Sequence, residues 1–153
     1  MSTRVALISD THGLLRPQAL SWLAGADYLI HAGDIGDSDL LSQLGQIAPL
    51  TVVRGNNDTA PWAASIPETL SLELAGVGFY LLHDLKTLQR PLAENVRVVV
   101  SGHSHKPAIT WSDGVLFINP GSAGPRRFSL PISVADIVID AGVLTPRLHT
   151  LEI

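Results

Sequence analysis

The chain has 153 residues, of which 46% are hydrophobic and none is cysteine. This length predicts a single domain over residues 1–153 with its own core, and the lack of thiols excludes disulfides and thiolate metal ligands. Ten basic and fourteen acidic residues give a formal net charge of −4, with no basic run longer than Arg126-Arg127, which argues against long nucleic acids as partners.

The first predicted strand covers residues 5–8, which are all apolar and lead directly into Ser9 and Asp10. This apolar segment is too short for a signal peptide or a membrane span. We therefore expect a cytoplasmic protein without membrane contact.

Strands and helices alternate through the first third of the chain. Further strands are predicted over residues 28–32 and 50–53. A first helix covers residues 17–24, and a second is capped by Ser38 and carries apolar residues at Leu40, Leu41, Leu44 and Ile47. Strands joined by helices form right-handed parallel crossovers, and ligands collect at the carboxyl ends of such strands.

The rest of the chain is predicted to be rich in β-structure. Gly76 and Gly78 indicate a hairpin turn, and a short interrupted helix is expected over residues 86–94 around Pro91. The predicted strands cover residues 70–74, 79–82, 96–100 and 115–118, followed by 133–139 and 147–153 as an antiparallel pair.

The predicted strand at 96–100 leads into two closely spaced histidines. Its valines favour a buried strand, and Gly102 allows a sharp turn where that strand ends. Because residues two apart face the same side of an extended segment, His103 and His105 can bind one metal ion or two adjacent ions. A His-x-His pair alone is weak evidence, since histidine is also common in ordinary loops.

Side chains with nitrogen or oxygen donors follow five of the predicted strands. Taken singly, each has a structural interpretation, such as Asp10 as a turn former or Asn56 as a turn residue. Independent turns would not place such donors at the ends of five strands, so we interpret them as candidate ligands for Mn, Fe, Zn, Ni or Mg. The set consists of Asp10, His12, Asp34, Asn56, His83, His103 and His105.

The order of these residues resembles a known family. Asp-x-His, Gly-Asp, Gly-Asn-x-Asp, a single His and Gly-His-x-His follow one another as in the calcineurin-like metallophosphoesterase superfamily. The short length and Asn119-Pro120-Gly121-Ser122 are similar to the small YfcE-type phosphodiesterases. The resemblance implies an α/β fold in which two mixed sheets pack as a β-sandwich flanked by helices, in four αββα layers.

The resemblance also implies a dinuclear metal site. Asp34 would bridge two divalent ions, one held also by Asp10, His12 and His105, the other also by Asn56, His83 and His103. Mn²⁺ is the leading candidate, with Ni²⁺, Zn²⁺, Fe²⁺ and Mg²⁺ as the others. The implied activity is hydrolysis of a small phosphate ester by a metal-bridging hydroxide, with Asp34, Asn56, His103 and Asp58 as the predicted catalytic residues.

Other polar residues have less specific interpretations. Asp58 is expected either to accept a hydrogen bond from His12 or to serve as a turn carboxylate. The Arg126-Arg127 pair is interpreted as a solvated loop or a subunit contact, in a homodimer or homotetramer, with phosphate binding as the alternative. His31 and His149 are interpreted as structural.

Two positions depart from the family pattern. Asn57 stands where many relatives have histidine and the small subfamily often has cysteine. Because an amide cannot act as a general acid, we expect slow turnover and dependence on good leaving groups, such as aryl or nucleotide esters. Asp84 replaces the usual glycine, and its carboxylate is expected either to tune metal affinity or to crowd the pocket.

Three functions are compatible with this resemblance. A metal-dependent phosphodiesterase is favoured because all seven ligand positions hold residues that can bind metal. The alternative is a non-catalytic, protein-binding scaffold, since the retromer subunit of the same fold works in that way. A DNA nuclease is disfavoured because such relatives carry added domains and this short chain is acidic.

Overall fold

The computed structural model describes residues 2–153 as two five-stranded mixed sheets with two α-helices. The helices are α1 (Pro17–Leu23) and α2 (Ser38–Gly45). The strands are β1 (Ser2–Ile8), β2 (Tyr28–His31), β3 (Leu50–Val52), β4 (Thr69–Leu74), β5 (Val77–Leu82), β6 (Val96–Val100), β7 (Ala108–Ser112), β8 (Val115–Asn119), β9 (Ser133–Asp140) and β10 (Val143–Thr150).

Each sheet has a parallel centre and antiparallel edges. In the first, the strand order is β10-β9-β1-β2-β3, with β1, β2 and β3 parallel. In the second, the order is β4-β5-β6-β8-β7, with β5, β6 and β8 parallel. The predicted parallel crossovers and the two mixed sheets are therefore confirmed.

The main core lies between the two sheets. Val5 and Leu7 face it from β1, while Ala6 and Ile8 point to the opposite side, where α1 and α2 cover the first sheet. This two-sided burial explains why residues 5–8 of β1 form an uninterrupted apolar run, as is usual for a central parallel strand.

The second sheet has no matching α-helix on its outer face, so the expected helix over residues 86–94 is wrong. Leu85–Thr87 form one turn of 3₁₀-helix, and residues 88–95 form an irregular loop. Pro91 removes a backbone donor, and the segments on either side are too short to nucleate a stable helix. Leu88 and Leu92 nevertheless pack on the sheet, so this loop provides the fourth layer.

Three smaller expectations also change. Asp37, and not Ser38, caps α2, because its side chain accepts a hydrogen bond from the Asp39 N–H. The hairpin turn falls at residues 75–76, so Val77 already pairs with Leu74. Strand β7 was not predicted, and the final strand begins earlier than expected, at Val143, and ends at Thr150.

The carboxyl ends of the parallel strands in both sheets lie on the same side of the sandwich. The loops after β1 and β2 contact the loop after β6, where the His103 N–H donates to Asp10 Oδ2 at 3.1 Å. Among residues 2–153, no helix is both long and apolar enough to cross a membrane.

Candidate metal centre

Six of the seven predicted ligands gather at this shared edge, in two clusters. The first cluster contains Asp10, His12 and His105, and the second contains Asp34, His83 and His103. In each cluster one donor atom per residue lies within 4.8 Å of the others. The two clusters divide the residues as the resemblance implies.

Asp34 belongs to the second cluster but also lies close to the first. Its Oδ2 atom is 3.2 Å from His83 Nε2 in its own cluster and 3.6 Å from His12 Nε2 in the other. Asp10 Oδ1 lies 3.4 Å from His105 Nε2 and 3.8 Å from His83 Nε2. The two carboxylates therefore connect the clusters into one continuous centre.

Hydrogen bonds hold the two carboxylates in place. Asp10 Oδ2 accepts from Ser9 Oγ at 2.8 Å and from the His103 N–H, which leaves Oδ1 directed at the histidines. Asp34 accepts from Asn57 twice, through the backbone N–H at 2.9 Å and through Nδ2 at 3.1 Å. Each carboxylate is thus oriented by its neighbours.

The buried donor atoms of this centre fit divalent cations. His83 Nδ1 donates to the Ala32 carbonyl at 2.7 Å, so its Nε2 lone pair points at carboxylate oxygens. Because a lone pair and carboxylate oxygens repel each other, either a proton on Nε2 or a bound cation stabilises this contact. The side-chain atoms buried without a hydrogen-bond partner within residues 2–153 are Asp10 Oδ1, His12 Nε2, His83 Nε2 and His105 Nδ1. Mixed carboxylate and imidazole donors of this kind suit Mn, Fe, Ni or Zn.

The pKa values of these groups reflect the same arrangement. Burial raises the pKa of Asp10. Burial also acts to raise the pKa of Asp34, but the contacts with His83 and the Asn57 N–H outweigh it and lower that pKa to about 2. Burial opposes the charge on His83, yet Asp34 and Asp10 raise its pKa. Burial, assisted by Arg127 and His12, lowers the pKa of His105 to about 4.

The backbone at the centre is strained. Asp10, His12, Asp34, His103 and His105 all have positive φ, between 46° and 70°. Residues other than glycine rarely adopt this backbone conformation. Where they do, surrounding contacts enforce it, most often at functional sites. Five of the nine non-glycine residues with positive φ among residues 2–153 are therefore residues that the sequence pattern selected.

Two glycines allow this close packing. A Cβ atom on Gly55 would collide with the backbone and carboxylate of Asp34. A Cβ atom on Gly102 would collide with the Ser9 hydroxyl and the Asp10 carboxylate. Both positions therefore require glycine for the carboxylates to reach their places.

The loop after β3 differs from the expectation. Asn56 is exposed and lines a surface depression with Arg54 and Thr59, whereas the side chain of Asn57 contacts Asp34. The hydrogen bonds of Asp58 run to the backbone N–H groups of Ile35, Gly36 and Gly55. None of its hydrogen bonds within residues 2–153 reaches His12, so that expectation is wrong. Asp58 is instead the turn carboxylate of the other expectation, and it joins the loops after β2 and β3.

Several other residues border the centre. Asp84 Oδ2 lies 3.9 Å from His103 Nε2, and Arg127 lines a depression next to His12 and His105. The sequence pattern assigns no role to the side chain of Asn119, but its Nδ2 donates to the Gly102 carbonyl at 3.0 Å and to Ser104 Oγ at 3.1 Å. It therefore fixes the loop that carries both histidines after β6.

His31 is structural, as expected. The Gly33 N–H donates to its Nδ1 at 3.0 Å, so its Nε2–H donates to Thr11 Oγ1, also at 3.0 Å. Thr11 in turn donates to the Ile35 carbonyl at 2.8 Å. This fully buried chain joins the loops after β1 and β2 and requires the neutral imidazole.

Acidification should destabilise the metal-free protein through His31. Burial lowers its pKa from 6.5 to about 3, so between these values the unfolded chain binds the additional proton. The free energy of unfolding should therefore fall with decreasing pH, by about 2 kcal/mol between pH 7 and pH 5 from this residue alone.

Urea unfolding in the presence of a chelator at both pH values tests this prediction. His31→Gln should be less stable at pH 7, because the chain of hydrogen bonds is disturbed, and should lose less stability on acidification. An equal loss in wild type and variant would contradict the assignment.

Comparison with known proteins agrees with this geometry. Residues 3–142 match the model of the calcineurin-like phosphoesterase superfamily domain. A probable metallophosphoesterase of Methanothermobacter thermautotrophicus is 30% identical over 149 residues, covering 89% of this chain and 86% of the relative. A probable metallophosphoesterase of Mycoplasma pneumoniae is 33% identical over 134 residues, covering 78% and 79%.

Solved structures share the fold at lower identity. An archaeal phosphodiesterase superimposes with a TM-score of 0.78 at 21% identity, covering 97% of this chain and 100% of the other. YfcE, a phosphoesterase from E. coli, gives 0.71 at 20% identity, covering 98% and 100%. Vacuolar protein sorting 29 of Cryptosporidium parvum gives 0.76 at 19% identity, covering 97% of both chains. The match along residues 3–142, together with the two clusters at the strand ends, makes this chain a member of the calcineurin-like phosphoesterase superfamily.

Proposed function

We propose that this protein is a dinuclear metal-dependent phosphodiesterase that hydrolyses small phosphate esters. The observation that supports this most strongly is the pair of adjacent clusters joined by Asp34 Oδ2, which lies 3.2 Å from a histidine of one and 3.6 Å from a histidine of the other. One carboxylate within reach of both sites is the arrangement that holds two metal ions side by side.

The proposed ligands follow the two clusters. Asp10, His12 and His105 would hold one ion, and His83 and His103 would hold the other, with Asp34 within reach of both. Asn56 stays the predicted amide ligand of the second ion. Mn²⁺ is the proposed metal, and the cytoplasmic location stays a prediction.

The charge of this centre suits an anionic ester. Two divalent ions bound here would supply four positive charges, neutralise charge on the phosphoryl oxygens and activate water for attack on phosphorus. Asp10 and Asp34 supply only two negative charges among the proposed ligands. Arg127 adds a positive charge beside His105, where it contributes to the lowered pKa of that histidine. The centre therefore favours binding of a phosphate ester anion.

Metal reconstitution tests the proposal. Chelator-treated protein is refilled with Mn²⁺, Ni²⁺, Zn²⁺ or Mg²⁺ and assayed with bis(p-nitrophenyl) phosphate and p-nitrophenyl phosphate. Diester hydrolysis that returns with metal and exceeds monoester hydrolysis supports a phosphodiesterase. Binding of two ions without hydrolysis of either ester would count against catalysis.

Asn57→His should raise kcat for esters with poor leaving groups. A histidine at this position can protonate the leaving oxygen, which an amide cannot do, and general acids typically contribute factors of 100 or more. Because the surrounding residues are not adapted to the new side chain, we expect a gain of about tenfold for alkyl leaving groups and little change for p-nitrophenolate.

Asn57→Ala is the control for this experiment, because it removes the Nδ2 contact with Asp34 without adding an acid. The measurement is kcat for a series of diesters graded by the pKa of the leaving group. If kcat of Asn57→His depends on the pKa of the leaving group in the same way as kcat of the wild type, the lack of a proton donor does not limit departure of the leaving group.

The second candidate is a protein-binding scaffold. The observation in its favour is the fold similarity to vacuolar protein sorting 29, at a TM-score of 0.76. A scaffold has no need of strained ligand residues or of buried, unpartnered donor atoms, and both are present at this centre. The phosphodiesterase is therefore the better supported function.

A further inference from the structure

A large cavity opens directly beside His103. Its volume is about 650 Å³, within the range typical of small-molecule sites. Apolar surface comes from Leu85, Phe117 and Phe128, and positive charge from Lys86, Lys106 and Arg127. The cavity therefore adjoins the second cluster and combines apolar walls with cations at its edge.

Phe128 lines this cavity with an exposed side chain and a rare backbone conformation. Its side chain is 89% exposed, so it contributes little to the core, and its φ of 53° is rare for a bulky residue. The same side chain lines the smaller depression that contains His12 and His105. Phe128 therefore borders two openings, one lined by His103 and the other by His12 and His105.

The charges around the cavity favour an anion. Lys86, Lys106 and Arg127 form no ion pair with any residue in the described range 2–153. Asp84 is the acidic residue of the lining, and one of its oxygens already accepts the Lys86 N–H at 3.0 Å. The lining thus carries three cations and one carboxylate.

We infer that this cavity binds a planar aromatic ester group of the phosphodiester substrate, with Phe128 and Leu85 as specificity-determining contacts. The inference rests on the proposed phosphodiesterase activity, because the phosphate must lie at the metal centre for the ring to enter the cavity. An aromatic ring gains from burial against apolar side chains and from stacking on Phe128. The nearby cations stabilise negative charge on the ester.

Direct binding to Mn²⁺-loaded protein tests the inference without catalysis. Phenylphosphonate and methylphosphonate carry the same anionic group and differ in the ring. Calorimetric titration should give about tenfold tighter binding of phenylphosphonate, as expected for partial burial of one ring. Equal affinities would overturn the inference.

Matched variants locate the effect. Phe128→Ala and Leu85→Ala should each reduce the preference for phenylphosphonate by severalfold and leave methylphosphonate binding unchanged. Leu148→Ala is the control, because Leu148 is 40% exposed, compared with 42% for Leu85, and lies on β10 outside the cavity lining. A preference that survives in both cavity variants would overturn the assignment.

Hydrolysis then distinguishes a nucleoside from a simple aryl group. The p-nitrophenyl esters of thymidine 5′-phosphate, phenyl phosphate and methyl phosphate share one leaving group. A higher kcat/KM for either ester whose second group is a ring, lost in Phe128→Ala, supports the inference and identifies the preferred ring. Equal hydrolysis of all three that is also unchanged in Phe128→Ala overturns it while the phosphodiesterase stands, because the p-nitrophenyl ring then does not use the cavity either. No hydrolysis and no phosphonate binding overturn both.

Discussion

Asp34→Asn should reduce metal-dependent diester hydrolysis by more than about 100-fold. Removing a residue that only supports a metal ligand typically costs a factor of 10 to 100, and Asp34 contacts histidines of both clusters. Its pKa of about 2 means that the side chain is ionised at neutral pH, so the substitution removes a full negative charge from the centre.

The substitution keeps the size of the side chain, so the fold should be retained. The measurements are kcat/KM for bis(p-nitrophenyl) phosphate, the number of bound metal ions and the affinity for Mn²⁺. Asp113→Asn makes the same chemical change at φ 50° in the exposed turn before β8 and should leave all three values unchanged. Full activity in Asp34→Asn would contradict a shared carboxylate.

Asp136→Asn should lower the free energy of unfolding by about 3 kcal/mol, towards the lower end of what breaking a buried ion pair costs. Asp136 is fully buried on β9 and pairs with Arg4 Nε at 2.7 Å and Arg147 Nε at 2.8 Å. The amide would leave both guanidinium groups without their counter-charge. Because the two arginines partly reach solvent, we expect the lower end of that range.

Arg4, one of the two partners of Asp136, also contacts the end of α1. It donates to the Trp22 carbonyl at 2.7 Å and to the Ala24 carbonyl at 3.1 Å, and so fastens the end of α1 to the first sheet. Urea unfolding measures the loss. Glu68→Gln, at an exposed partner of Arg54, should cost well under 1 kcal/mol. A similarly small loss in Asp136→Asn would mean that the amide keeps both arginines in place.

Much of this architecture could be predicted from local patterns. Apolar runs at residues 5–8 and 98–100 identified β1 and β6, and polar residues directly after them identified the ligand-bearing loops. The pattern failed for residues 88–95, which partly bury Leu88 and Leu92 without forming a helix. It also failed for β7, although Asp113-Gly114, the turn that joins β7 to β8, is a hairpin signal in the sequence.

The loop after β3 shows the limit most clearly. The sequence shows that residues 55–58 form a motif. It does not show which of the two adjacent asparagine side chains faces Asp34, or that Asp58 accepts hydrogen bonds from three backbone N–H groups. Apart from the local contact between Gly55 and Asp58, those contacts join residues more than twenty positions apart, and local propensity carries no information about them. The same applies to Asn119 and the loop that it holds.

By itself, the sequence determined which chemistry was available: nitrogen and oxygen donors, no thiolates, and their positions at the ends of strands. Period-two and apolar patterns are local, so they could be interpreted without knowing the fold. Only the tertiary structure decided that the donors form two clusters joined by Asp34, and that Phe128 stands at a cavity beside them. Convergence of this kind depends on how the two sheets pack, and packing is a property of the whole chain.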